Sequence, residues 1–274
     1  MTAIAIWYEK ADDLVWAVAD TRIGFGAGTG MVIRTDAASK LLPLQVFATS
    51  RLHGDSREEA LRFETTFGFA YAGDTLSALM TYSKVSAFST NLIGLPATSP
   101  PSLFEIASMA MRVGIEIGRH VAESKNADRL GFSFAIFGWC PVQKRFQAAS
   151  LVPSETSLSF DLASVCLEHL VDPVVLGSGG QDLLSEFHRL RIEGDKYGRT
   201  ARLPKIALEN LVKEMVREDV GGELLVGASS RGHFRLYQYV RPVVWGQPQA
   251  IATFSGSNAN EQVGDYMIGI AGIA

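Results

Sequence analysis

What the chain lacks narrows its reading first. Only two cysteines, Cys140 and Cys166, occur in 274 residues, too few to staple a chain of this size, so a reducing, cytoplasmic setting is expected. Both thiols read as small buried hydrophobes. No uninterrupted apolar run reaches the ~18 residues of a membrane-spanning helix. Glu9, Lys10, Asp12 and Asp13 break the first apolar stretch early, which fits neither a secretory signal nor an anchor. Basic residues are not in excess: 25 Lys and Arg stand against 29 Asp and Glu, a net charge of -4. Nucleic acids and anionic membranes call for a basic surface, so neither is expected as a partner.

Several chemistries lack their signatures as well. The histidines, at positions 53, 120, 169, 188 and 233, are scattered without metal-ligand spacing. No metal or other cofactor is indicated, and a G-x-S-x-G nucleophile elbow is missing. The stretch "GFGAGTG" at 24–30 looks at first like a phosphate-binding loop. Its glycines do not have the G-x-G-x-x-G spacing, and a strand-like segment rather than a helix follows, so it reads as a mobile or tightly turned loop.

What is present begins at the N-terminus. Thr2 is followed at once by Ala3, Ile4, Ala5, Ile6 and Trp7, an apolar run rich in β-forming residues, where most chains start with a frayed polar lead. Residues 2–8 and 14–20 form a predicted hairpin around "EKADD". Further predicted strands are 31–33, 42–48 and 66–72, and two helices follow. In the second, "PPSLFE" places Ser102 and Glu105 at capping-box spacing, and Leu103, Ile106, Met109 or Ala110, Val113, Ile117 and Val121 recur at helical period. Strands resume at 131–138, 145–151, 158–162 and 174–176. Helices over 181–191 and 204–217 come next, the latter stopped by Gly221 and Gly222, before strands at 223–227 and 233–240.

This order of strands, helix pair, strands, helix pair, strands predicts an α+β chain: two mainly antiparallel sheets stacked face to face with helix layers outside. Residues 2–240 read as one domain. Residues 241–274 read as a C-terminal extension, whose apolar end "YMIGIAGIA" packs on that domain or on a neighbouring subunit.

A threonine hydroxyl is a poor nucleophile without a base, and a free α-amino group, with a pKa near about 7.7–8.0, can be that base. Removal of Met1 would create both in Thr2. Four further motifs stand in order along the chain: "ADTR" ending the second strand, "AGDT" at a strand-to-helix turn, "GSGG" before another helix, and "EDVGG". Together they resemble the β-type subunits of proteasomes, members of the N-terminal nucleophile hydrolases, and most of all their bacterial ancestral β-subunit branch. The resemblance covers about residues 2–240.

The resemblance implies a four-layer αββα fold, threonine-type cleavage of peptide bonds, ring-like or related homo-oligomers, and an ATP-dependent unfoldase as partner. By the same route Thr2 is nucleophile and base, and Asp20 of "ADTR" orients the site with a lysine. Many relatives carry that lysine where this chain has Asp36; Lys40 of "SKL" matches the ancestral branch. Gly73 matches the oxyanion-hole glycine, and Ser178 and Gly179 match the serine turn that contacts the amine. Asp219 matches the aspartate turn, in which Gly222 falls where many relatives have serine. Lys40 is expected to stay charged against Asp20 and to lower the amine's pKa. A noncatalytic scaffold subunit and a small-amide hydrolase are the alternative functions on the same fold.

Overall fold

In a computed structural model of the chain, residues 2–25, 32–50, 61–94, 99–194 and 202–242 are described, and in the tail 250–254, 257–258, 262–263, 266–267 and 270–273. The first hairpin forms as expected, β1 (Ile4–Glu9) pairing antiparallel with β2 (Leu14–Asp20) in the register Ile4 to Ala19. Its near-continuous apolar sequence follows from burial on both faces. Ile4, Ile6, Val15, Ala17 and Ala19 point one way into one core, and Ala3, Ala5, Trp7 and Val18 the other way into a second.

Around this hairpin the first sheet runs β11 (Val174–Leu176), β1, β2, β12 (Leu224–Ser230), β13 (His233–Pro242) and β14 (Ala250–Phe254). Residues 257–258 add to its outer end, and residues 272–273 pair parallel with β13. The second sheet runs β10 (Phe160–Cys166), β9 (Arg145–Pro153), β8 (Phe132–Cys140), β6 (Leu61–Gly73), β5 (Leu41–Ser50) and β7 (Leu92–Gly94). Its pairings are antiparallel except β5 with β7. A separate small ribbon joins β3 (Ile23–Phe25) to β4 (Val32–Thr35). The remainder of the glycine-rich stretch, residues 26–30, lies outside the described residues, as does Met31 of the strand expected at 31–33.

The two sheets face each other across a core containing Leu41, Ala70, Phe137, Phe146, Leu225 and Phe234. On the far side of the second sheet lie α1 (Thr75–Ser89) and α2 (Leu103–Ser124), packed on a phenylalanine layer in which Phe69 and Phe132 each stack on Phe134. On the far side of the first lie α3 (Gly180–Glu193) and α4 (Leu203–Lys213), with Leu183, Leu208 and Leu211 against Val18 and Val226. The result is the four-layer αββα sandwich. The α2 capping box is formed: Ser102 Oγ accepts from Glu105 N, and the Glu105 carboxylate accepts from Ser102 N. None of the described helices is long and apolar enough to cross a membrane.

Some boundaries differ from the sequence reading. The last helix ends at Lys213, not at 217, and the glycines at 221 and 222 do not stop it. Met215 takes a left-handed conformation (φ 47°) and is 75% exposed, so the chain leaves the helix there. The strand expected at 158–162 runs instead over Phe160–Cys166, paired along its whole length with β9. Cys140 is buried as expected, whereas Cys166 is half-buried.

Candidate active site

Thr2 sits where the first strand enters the sandwich, and it is 3% exposed although it stands next to the chain terminus. Backbone bonds fix it from two sides. Gly179 N donates to the Thr2 carbonyl at 3.0 Å, and the neighbouring Ala3 N donates to Asp20 Oδ1 at 3.0 Å. Gly177, with φ 86°, lies so close that a Cβ built on it would stand 2.1 Å from the Thr2 carbonyl oxygen. Only glycine permits that approach.

Asp20 ends β2 and is fully buried. Its Oδ1 accepts from Lys40 Nζ at 2.9 Å, and its Oδ2 accepts from Gly221 N at 3.2 Å and Arg22 N at 3.3 Å. Every lone pair of that carboxylate therefore faces a donor, which a buried anion requires. Lys40 precedes β5 and is 1% exposed. Its backbone carbonyl accepts from Tyr71 N, which ties it to the end of β6 two residues before Gly73. Burial pushes the Lys40 ammonium below its ordinary pKa and outweighs the opposing pull of Asp20 and Asp219.

Ser178 and Asp219 meet on the other side of Thr2. Ser178 Oγ donates to Asp219 Oδ2 at 3.1 Å. Asp219 is also gripped by Arg217, whose Nε reaches Oδ1 at 2.8 Å and whose Nη2 reaches Oδ2 at 3.0 Å. Burial raises the Asp219 carboxyl pKa, but the Arg217 hydrogen bonds and charge, with the Ser178 hydroxyl, leave it below the usual carboxylate range. Gly73, Gly177 and Ser178 line one cleft of about 510 Å³, with Arg129, Val152 and Glu155 among its other walls. Gly73 adopts φ 97°, and a Cβ there would lie 2.4 Å from the Gly131 carbonyl oxygen, so the wall is bare backbone.

The residues named from sequence are therefore gathered: Thr2, Asp20 and Lys40 on one side, Ser178, Gly179 and Asp219 on the other, with Gly73 across the cleft from Gly177 and Ser178. Asp36, at the place where many relatives carry lysine, instead binds Arg22 through both carboxylate oxygens, at 2.7 and 3.1 Å. Gly222 has φ 78°, and a Cβ on it would meet Thr21 Oγ1 at 2.5 Å. Packing against Thr21 thus accounts for glycine at that turn. Sequence reading missed Arg217, because it assigned that residue to the end of a helix.

No protein-family model and no curated protein matches this chain. Among solved structures it is similar to the Anbu complex from Pseudomonas aeruginosa, described as a helical assembly, at 15% identity over 86% of this chain and 87% of that one, with a TM-score of 0.52. It is also similar to Anbu, the ancestral beta-subunit, from Yersinia bercovieri, at 11% identity over 86% of each chain, with a TM-score of 0.54. At such identities the likeness concerns the fold. The chain has the four-layer αββα fold that these Anbu structures share.

Proposed function

We propose that the chain is a threonine-type hydrolase of peptide bonds, with Thr2 as nucleophile once Met1 is removed, working within an assembly of its own copies. The observation that carries this reading is the buried Asp20–Lys40 pair, whose carboxylate also binds the backbone N–H of Ala3, next to Thr2. A charged pair at 0% and 1% exposure is expensive to bury, and a stable core does not need one.

The chemistry follows from the placement. The freed Thr2 amine accepts the hydroxyl proton as Thr2 Oγ bonds to the substrate carbonyl carbon. The oxyanion faces the glycine backbone at Gly73, beside the N-terminus of α1, whose dipole favours negative charge. Collapse breaks the carbon–nitrogen bond, and the amine returns its proton to the departing nitrogen, leaving an ester on Thr2. Water then attacks the ester with the same amine as base, releasing the acid and restoring the hydroxyl. Asp20 holds Lys40 in place, and Ser178 with Asp219 holds the amine.

Assembly is supported by exposed apolar residues on one helix layer, Leu76, Leu79, Met80 and Phe88 of α1 with Phe104 of α2. The test is the intact mass of the purified protein before and after treatment with a peptidyl β-lactone. The expected chain begins at Thr2 and gains the lactone as an ester on that residue, while Thr2→Ala gains nothing. A chain that keeps Met1, or equal labelling of Thr2→Ala, overturns the proposal.

A further inference from the structure

Arg217 stands outside the set assigned above, yet it is half-buried and bonds directly to a member of that set, Asp219. It lies just beyond the end of α4, where the left-handed Met215 turns the chain back toward Thr2. Its guanidinium meets both oxygens of Asp219, at 2.8 and 3.0 Å, and reaches Asp182 Oδ2 of α3 at 3.3 Å. Asp219 is only 3% exposed, and its second oxygen also takes the Ser178 hydroxyl. Ser178 is flanked by Gly177 and Gly179, the two residues that touch the Thr2 carbonyl.

A serine hydroxyl has one proton and two acceptor lone pairs. While that proton is committed to Asp219, the Ser178 oxygen can only accept from a neighbouring amine, and the amine's own lone pair stays available for the Thr2 hydroxyl. If Asp219 rotates away, the Ser178 proton can point at the amine instead and occupy that lone pair. A two-point guanidinium clamp is the device that prevents the rotation.

We propose that Arg217 is a positioning residue for the Thr2 base: it fixes Asp219, which orients Ser178, which keeps the amine lone pair free. The inference rests on the function proposed above. Among the described residues, the charged groups that face Asp219 are Arg217 from its own turn and Lys40 just ahead of β5; Asp182 of α3 shares the guanidinium, and the neighbouring Glu218 offers its carbonyl to Arg22. Without Arg217 the Asp219 charge is no longer balanced, and it raises the amine's pKa.

The experiment measures the rate at which a peptidyl β-lactone esterifies Thr2 in the full chain, from about pH 5 to about pH 9, the range in which the amine titrates. Arg217→Met is expected to lower the plateau rate about 10²-fold, leave the lactone concentration for half-saturation unchanged, and move the acid limb to higher pH. Arg217→Lys keeps the charge with fewer donors, so its limb stays at the wild-type position while its plateau falls. A purely structural role would lower the plateau without moving the limb of Arg217→Met, and that result overturns the inference, as does a wild-type profile. If Arg217→Met shows no cooperative melting, Arg217→Lys decides: a shifted limb in that variant overturns it. Wild-type protein that is never labelled at Thr2 overturns the proposed function itself, a distinct outcome that takes this inference with it.

Discussion

Lys40→Met separates a structural role from a chemical one, because methionine keeps most of the side-chain length and removes the charge. Lys40 is 1% exposed and Asp20 is 0% exposed, so losing the lysine removes the salt-bridge partner of that carboxylate among the described residues. Removing one member of a buried pair costs about 3–5 kcal/mol. Here Asp20 retains three backbone donors, Ala3 N at 3.0 Å, Gly221 N at 3.2 Å and Arg22 N at 3.3 Å. The variant also no longer has to desolvate an ammonium. Both considerations place the cost at the lower end, about 3 kcal/mol, or a fall in Tm of about 6–12 °C for a chain of this size. Circular dichroism melting reads that figure. The same change removes the positive charge beside the Thr2 amine, so esterification of Thr2 by the lactone is expected to drop by at least about 10²-fold. Lower Tm with undiminished esterification would reduce the pair to a structural ion pair. An unchanged Tm would refute the burial argument itself.

Gly73→Ala should be both unstable and slow: its φ of 97° and a Cβ 2.4 Å from the Gly131 carbonyl oxygen add strain and overlap, together about 2–6 kcal/mol. Because that carbonyl also accepts from Asp74 N at 2.8 Å, the start of α1 must shift; urea melting and lactone labelling of the soluble fraction check both effects, and a stable variant with wild-type labelling would contradict the reading. A third prediction concerns acid. The Asp219 carboxyl lies below its ordinary range in the folded chain, so the stability it contributes is present above about pH 3.9 and is lost as pH falls through its folded value. Arg217→Met should flatten that acid loss in melts below about pH 4, and an unaltered acid profile would show that the clamp does not govern Asp219.

Much of the arrangement is legible from sequence because it depends on local chemistry. The hairpin at Ile4–Asp20, the α2 cap at Ser102 and the short strand Val174–Leu176 all follow from period, capping residues and flanking turns. Thr2, Asp20, Ser178 and Asp219 are legible for a different reason: each sits at the end of an apolar run or in a small-residue turn, where polar side chains are conspicuous. What escapes is long-range. Nothing local marks β7, a three-residue strand that exists only because β5 offers it an edge. The end of α4 is misplaced since Val212, Met215 and Arg217 continue a helical pattern that the left-handed Met215 overrides. That one backbone reversal converts Arg217 from an expected helix residue into the partner of Asp219.

The walls of the site explain why its specificity is so much less legible than its chemistry. Gly73 and Gly177 both carry positive φ, and at each a Cβ would run into backbone within 2.4 Å. Side chains are thus excluded at these two walls, and a substrate in the proposed reaction would meet main chain there, with the Ser178 hydroxyl beside it. Main-chain groups act on any amide alike, so under the proposed hydrolysis discrimination among substrates would come from elsewhere in the cleft, where Arg129, Val152 and Glu155 stand. These three belong to the entry of β8 and the end of β9 with the loop beyond it, segments joined by the register Phe134 to Leu151 rather than by sequence proximity. The proposed chemistry therefore rests on short contiguous motifs, whereas the outer cleft depends on a strand pairing that only the folded sheet reveals.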